Sequence, residues 1–177
     1  MDTAQKLLKG GEFLIRETEP STVFIVEDLT EEQNMVLGMA KEFVDKKVLP
    51  VADQIEKLDL ELTTKLLKEA GDLGLLGTSF PEEYGGFMQN FETNMALTSV
   101  LAPTRSFSLS HGAHTGIGTM PITLYGTEAQ KQKYVPKLAS GEWFGAYCLT
   151  EPGAGSDANS GKTTAELSAD GKNYKIN

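Results

Sequence analysis

The chain has 177 residues, 40% of them apolar, and sets 25 acidic side chains against 16 basic ones for a formal charge of −9. That length holds one ordinary domain, or one domain and a piece of another, with enough apolar residues for a packed core. The acidic balance argues against nucleic acid as a partner, because phosphate binding wants a basic face, and no apolar run reaches the roughly 20 residues needed to span a bilayer. The N-terminus reads as no targeting signal: Phe13-Leu14-Ile15 is a short patch, and Glu12, Glu17 and Glu19 surround it. A single cysteine, Cys148, excludes an internal disulfide and any multi-cysteine metal site. A cytoplasmic location is the resulting expectation.

Residues 1–28 carry mixed charge and one further apolar run, Val23-Phe24-Ile25-Val26, and read as an extension that packs on something rather than as a domain. Thr30-Glu31-Glu32-Gln33 is a capping-box pattern. Val36, Leu37, Ala40, Phe43, Val44 and Val48 follow at helical spacing, which predicts a helix closed by Pro50. A second helix is predicted over roughly Leu60–Leu73, with Leu62, Leu66, Leu67 and Ala70 on its apolar face and Gly74 as its stop. Phe80 through Gly86 reads as an ordered loop, and Asn90 as the cap of a third helix reaching about Ala102. From Ser106 to Tyr125 the small, apolar residues predict buried helices packed closely through Gly112, Gly116 and Gly118. Gly126 ends a helix there, and Thr127 with Gln130 boxes the next, through about Leu138.

The period changes after Ser140-Gly141. Trp143–Thr150 reads as a buried strand, and Lys162–Ala169 and Lys172–Asn177 as two more joined by an Asp170-Gly171 turn. Helices first and strands second give an α+β fold class: an extension over 1–28, a helical domain over 29–140 and the start of a β domain over 141–177. Three short strands make a poor sheet by themselves, and the last residue falls inside a strand pattern. The chain is therefore expected to be truncated.

Candidate chemistry concentrates in Tyr147-Cys148-Leu149-Thr150-Glu151-Pro152-Gly153-Ala154-Gly155-Ser156-Asp157. An apolar, aromatic approach runs into a proline and two glycines, which presents backbone N–H groups and hydroxyls in a row to an anionic or carbonyl-rich ligand. Gly153 to Ala158 fits the dinucleotide fingerprint of a Rossmann fold, but the polar, β-leaning residues after it open no helix, so that reading is rejected. His111 and His114 share a helical face, as a metal pair or a general base would, yet no acid or cysteine lies at ligand spacing. Core or ligand-lining roles are favoured for both. Glu151 and Asp157 form a candidate acid/base pair, with Glu151 read more readily as an anchor for loop amides. Ser156 lacks a nucleophile's context and suits hydrogen bonding to an anion. Cys148, in an apolar strand, is expected to be inert, and Tyr147 reads equally as core or as a ring beside a cofactor.

The loop and its approach resemble the acyl-CoA dehydrogenase family. So do Met120-Pro121-Ile122, Tyr125-Gly126-Thr127-Glu128-Ala129-Gln130-Lys131, Tyr134-Val135-Pro136-Lys137-Leu138 and Pro81-Glu82-Glu83-Tyr84-Gly85-Gly86. The resemblance runs from about residue 29 to the end, and Lys9 to Ile15 is similar to the extension of very-long-chain-like bacterial members. It implies an N-terminal all-α domain, a β-barrel-like middle domain that begins here, and a C-terminal helical domain, with FAD as cofactor. By that resemblance the main chain of Leu149 and the main chain and hydroxyl of Thr150 meet the polar edge of the flavin ring. Tyr147 flanks the ring, and Ser156 contacts the FAD pyrophosphate or the acyl-CoA. The helices around His114–Ile122 border the acyl chain. The implied reaction is α,β-dehydrogenation of a fatty acyl-CoA in β-oxidation, with an electron-transfer flavoprotein taking the electrons and a homo-oligomer as the full-length form. The catalytic base belongs to the C-terminal domain, so these residues alone are expected to be inactive. An acyl-CoA oxidase and a non-catalytic helical interaction module are the competing readings.

Overall fold

Side-chain caps set where several of this protein's helices begin. The computed structural model describes Leu8 and residues 10–177, which fall into two compact units, one reaching Gly145 and one running from Ala146 to Asn177. In the first unit, α1 covers Glu31–Phe43. The Gln33 N–H donates to Thr30 Oγ1 at 3.2 Å, and Thr30 N–H returns a bond to Gln33 Oε1 at 2.8 Å, the reciprocal capping box. The same arrangement opens α7 (Glu128–Ala139), where Thr127 and Gln130 exchange bonds of 3.3 and 2.8 Å. Asn90 caps α4 (Phe91–Leu101) by accepting from Thr93 N–H at 2.9 Å. Asp59, not recognised as a cap from the sequence, does the same for α3 (Leu60–Asp72) through Leu62 N–H at 3.0 Å. Gly74, at φ 77°, follows the end of α3 as predicted.

The helix predicted to run to Pro50 is not uniform. After Phe43 the bonding widens to a π turn over Val44–Val48, then tightens to a 3₁₀ turn over Leu49–Val51, and a four-residue helix α2 follows at Ala52–Ile55. Pro50 has no N–H to continue an α ladder, which is a local reason for the change of register. The core joins Phe43, Val44, Val48 and Ile55 to Leu66, Leu67 and Ala70 of α3, Leu75 and Leu76 beyond it, Leu97 and Leu101 of α4, and Phe107. The Phe43 and Phe107 rings meet with centroids 6.0 Å apart. A second cluster places Phe80 and Tyr84 against Val135 and Ala139 of α7. Burial, and then the bond its hydroxyl donates to Glu128, push the Tyr84 pKa up to about 12.

The run from Ser106 to Tyr125 forms α5 (Ser106–Thr115) and α6 (Met120–Tyr125), but it is not buried throughout. Phe107, His111 and His114 are inside, whereas Leu109, Ile117, Leu124 and Tyr125 are exposed. A Cβ on Gly112 would meet nothing, so that glycine mediates no close packing. An even spread of apolar residues hid which face turns inward.

In the second unit, β1 (Ala165–Leu167) and β2 (Tyr174–Ile176) pair antiparallel, with Glu166 opposite Lys175. Gly171, at φ 69°, makes the predicted turn between them. The predicted strand Trp143–Thr150 does not form. A strand is defined by its ladder, and no described segment pairs with this one.

Two glycines separate packing from propensity. A Cβ on Gly71 would collide with the main-chain carbonyl of Ser140, whereas one on Gly38, mid-α1, would meet nothing. Urea unfolding is expected to show Gly71→Ala destabilising by about 1–3 kcal/mol. Gly38→Ala is expected to stabilise by up to about 1 kcal/mol, the helix propensity difference. Equal effects at both sites would contradict this packing.

Candidate functional site

Two buried histidines on α5 tie it to its neighbours. His111 Nε2 lies 3.0 Å from the carbonyl oxygen of Leu75, and His114 Nε2 lies 2.9 Å from that of Leu138. Carbonyls only accept, so both Nε2 atoms carry hydrogen and neither is free to ligate a metal. The core reading of the pair holds. Burial pushes His111 down from 6.5 to about 4, against the opposing pull of its Leu75 bond, and lowers His114 for the same reason.

The helical unit ends in a seated stretch. Trp143 N–H donates to the Lys137 carbonyl at 3.0 Å, and its ring lies under the Lys137 ammonium at 4.5 Å. Phe144 sets its ring edge-on to His114, and Gly145 N–H donates to His114 Nδ1 at 2.9 Å. These contacts were missed from the sequence. A glycine inside Trp-Phe-Gly-Ala-Tyr was the available sign of a close approach.

Immediately beyond lies the second unit's run Ala146–Thr150, every residue of it exposed. Among the described residues, no protein group bonds to its main-chain N–H or C=O groups, nor to the hydroxyls of Tyr147 and Thr150. Cys148, expected in an apolar strand, is exposed as well. The loop after the run is ordered by its own bonds. Glu151 and Ala154 exchange N–H···O=C bonds of 3.1 and 3.0 Å across Pro152-Gly153. The Glu151 carboxylate then accepts from Lys162 N–H at 2.6 Å and from Thr163 N–H at 3.0 Å. Its pKa is lowered, first by the Thr163 side chain and then by the two amides. Glu151 is thus the anchor of loop amides. A group so committed and so acidic makes a poor general base.

Ser156 is exposed, and its hydroxyl makes no hydrogen bond among the described residues. Gly153 and Gly155 have neither a positive φ nor chain atoms where a Cβ would go, so the chain's own packing demands glycine at neither. After Asp157 comes a single 3₁₀ turn, Ala158–Ser160, and not the helix a Rossmann fingerprint requires. In the second unit Tyr147, Leu149, Thr150 and Ser156 are thus each exposed, and among the described residues none of their hydrogen-bonding groups has a protein partner.

Comparison with known proteins bears on this surface. Residues 30–142 match the model of the acyl-CoA dehydrogenase N-terminal domain. A probable acyl-CoA dehydrogenase of Bacillus subtilis (strain 168) is 46% identical over 98% of this chain and 29% of its own length. The crystal structure of acyl-CoA dehydrogenase complexed with FAD from Bacillus anthracis superposes with a TM-score of 0.88 at 45% identity, over 96% of this chain and 29% of that one. Butyryl-CoA dehydrogenase from Megasphaera elsdenii gives 0.74 at 34% identity, over 85% of this chain and 40% of that one. The chain thus spans 29% of the length of these two Bacillus relatives.

Two outcomes test the site's own construction. Glu151→Ala is expected to speed amide exchange of Lys162 and Thr163 by about tenfold or more, and unchanged protection would contradict the anchor. The unfolded chain takes up protons on His111 near 6.5 and the folded chain only near 4, so stability falls as pH drops through that window. The gap between melting temperatures at pH 7 and pH 5 is expected to narrow in His111→Gln, which keeps a donor toward Leu75 but cannot charge, while His114 keeps its own share of the gap. An unaltered pH slope would contradict the burial effect.

Proposed function

Since the chain belongs to the acyl-CoA dehydrogenase family through its N-terminal domain, we propose that it contributes the flavin-edge contacts of an FAD-dependent enzyme that removes hydrogen across the Cα–Cβ bond of a fatty acyl-CoA. The observation that carries this is the exposed run Ala146–Thr150, whose main-chain donors and acceptors are engaged by nothing among the described residues. The donor set fits the group. Leu149 and Thr150 offer main-chain hydrogen-bonding groups to the polar edge of the ring, Thr150 adds a hydroxyl, and Tyr147 supplies an aromatic face beside it. Ser156 is the hydroxyl for the FAD pyrophosphate or the acyl-CoA, and the open backbone at Gly153 and Gly155 leaves room for a ligand's approach.

Bound there, FAD supplies the acceptor for the hydride that leaves the β carbon. The protein's part is to orient the ring and to aim donors at the edge where negative charge gathers, which favours that charge. Removal of the α proton needs a carboxylate that Glu151 does not provide, because its oxygens hold two loop amides. The base is assigned to the C-terminal helical domain of the longer relatives. Electron-transfer flavoprotein as electron acceptor, a role in fatty-acid β-oxidation, a homo-oligomeric full-length enzyme and a cytoplasmic location complete the reading.

Titration of the 177-residue chain with FAD, followed by quenching of flavin fluorescence, is expected to saturate. Thr150→Ala and Ser156→Ala are each expected to weaken binding about tenfold, as the loss of a hydrogen bond to a charged or strongly polar group does. The FAD-loaded chain is expected not to reduce a dye acceptor with acyl-CoA. Variants that bind as the parent does, or turnover by the chain alone, would overturn this assignment.

A further inference from the structure

A cavity of about 110 Å³ lies between α4 and α5, inside the helical unit. His111 lines it, and its ring is 6% exposed. The Leu75 carbonyl can only accept, so Nε2 carries a hydrogen. Burial lowers the pKa of the ring to about 4, so at pH 7 it is neutral and Nδ1 is a bare acceptor. Among the described residues Nδ1 has no hydrogen-bond partner, and neither have the hydroxyls of Ser79 and Ser108, which line the same cavity. No fully buried side-chain nitrogen or oxygen among those residues lacks a partner. Each of these three atoms is therefore open to a molecule the size of water.

The other polar groups around the cavity have already spent their hydrogens. Thr98 Oγ1 donates to the Asn94 carbonyl at 2.9 Å, and Thr115 Oγ1 to the His111 carbonyl at 3.0 Å. Thr78 Oγ1 donates to Asn94 Oδ1 at 2.7 Å, and both hydrogens of Asn94 Nδ2 go to the Gln89 and Asn90 carbonyls. What the lining has left to offer is lone pairs, on the threonine oxygens and His111 Nδ1, with two serine hydroxyls that act either way. An anion or a carbonyl finds few donors there. No charged side chain lines the cavity, so an ion would lose its hydration without compensation. The guest that suits this lining is small, neutral and a donor of hydrogen bonds.

We propose that this cavity is a structural water site: it has room for about three ordered molecules, of which one donates to His111 Nδ1 and the others reach the hydroxyls of Ser79 and Ser108. The waters thereby join α4, α5 and the segment after α3 through bonds that the side chains do not make directly. Apolar cavities of this size stay dry, and it is the polar partners that hold water in. The site lies within the helical unit and shares no residue with the flavin reading, so it does not rest on it.

A crystal structure of the full chain, at a resolution that orders its surface water, is expected to show solvent peaks within hydrogen-bonding distance of His111 Nδ1 and of both serine hydroxyls. Xenon pressurisation of the same crystals is the counter-test, because xenon enters dry apolar cavities and not polar ones that hold water. The parent is expected to exclude xenon from this site. Ser108→Ala/Thr115→Val makes two polar walls apolar, and at least one of the waters is expected to be lost from it. Should that variant fail to fold, the two measurements on the parent decide. Xenon in the parent's cavity, no solvent peak at His111 Nδ1, or a guest other than water there would overturn the proposal. So would a folded variant that keeps the parent's full set of waters.

Discussion

A main-chain polar group taken out of water must find a partner, and in this protein imidazoles supply the partners where helices meet. The Leu75 carbonyl, just past α3, takes its hydrogen from His111, and the Leu138 carbonyl, near the end of α7, takes one from His114. Both rings are on α5 one turn apart, so a single helix satisfies carbonyls from two neighbours. His114 must be neutral because its Nδ1 accepts from Gly145 N–H, and burial favours the neutral form of both rings by depressing their pKa values. Because His114 also has Nδ1 to offer, the device that closes the helical unit reaches the residue where that unit ends.

Residues 143–150 show a contrast. Up to Gly145 every residue of the seated stretch makes a specific contact, through an amide, a ring or the absence of a side chain. From Ala146 to Thr150 the described residues offer nothing to the main chain. Hydrogen bonds to protein resume at Glu151, whose carboxylate gathers the amides of Lys162 and Thr163. Within the second unit, a run of unengaged donors and acceptors leading into that loop is a surface on which a polar ligand edge can be matched without breaking a bond to protein.

What the sequence made legible was local. Thr30, Asn90 and Thr127 cap helices because an N-cap hydroxyl or amide acts on residues two or three positions away, within reach of pattern reading. Gly74 and the Asp170-Gly171 turn follow from backbone freedom alone. Glu151 was legible as an anchor, though not its partners eleven and twelve residues on. The failures were non-local. Trp143–Thr150 has a strand's composition, but a ladder needs a second segment, and composition does not say whether one is present. The inward face of α5 could not be chosen while Leu109 and Phe107 were both apolar, and only tertiary packing buries Phe107 and leaves Leu109 in water. His114 was assigned to core or ligand lining because its Gly145 contact spans 31 residues.

The central claim is that the main-chain groups of Leu149 and Thr150 receive the edge of a flavin ring. The most direct test is to follow backbone amide chemical shifts of the labelled chain as FAD is added. The account predicts that the largest shifts fall on Leu149 and Thr150, with smaller ones at Tyr147 and Ser156 and little change along α1 or α3. Saturating shifts centred on any other part of the chain, or none at 147–156, would contradict it.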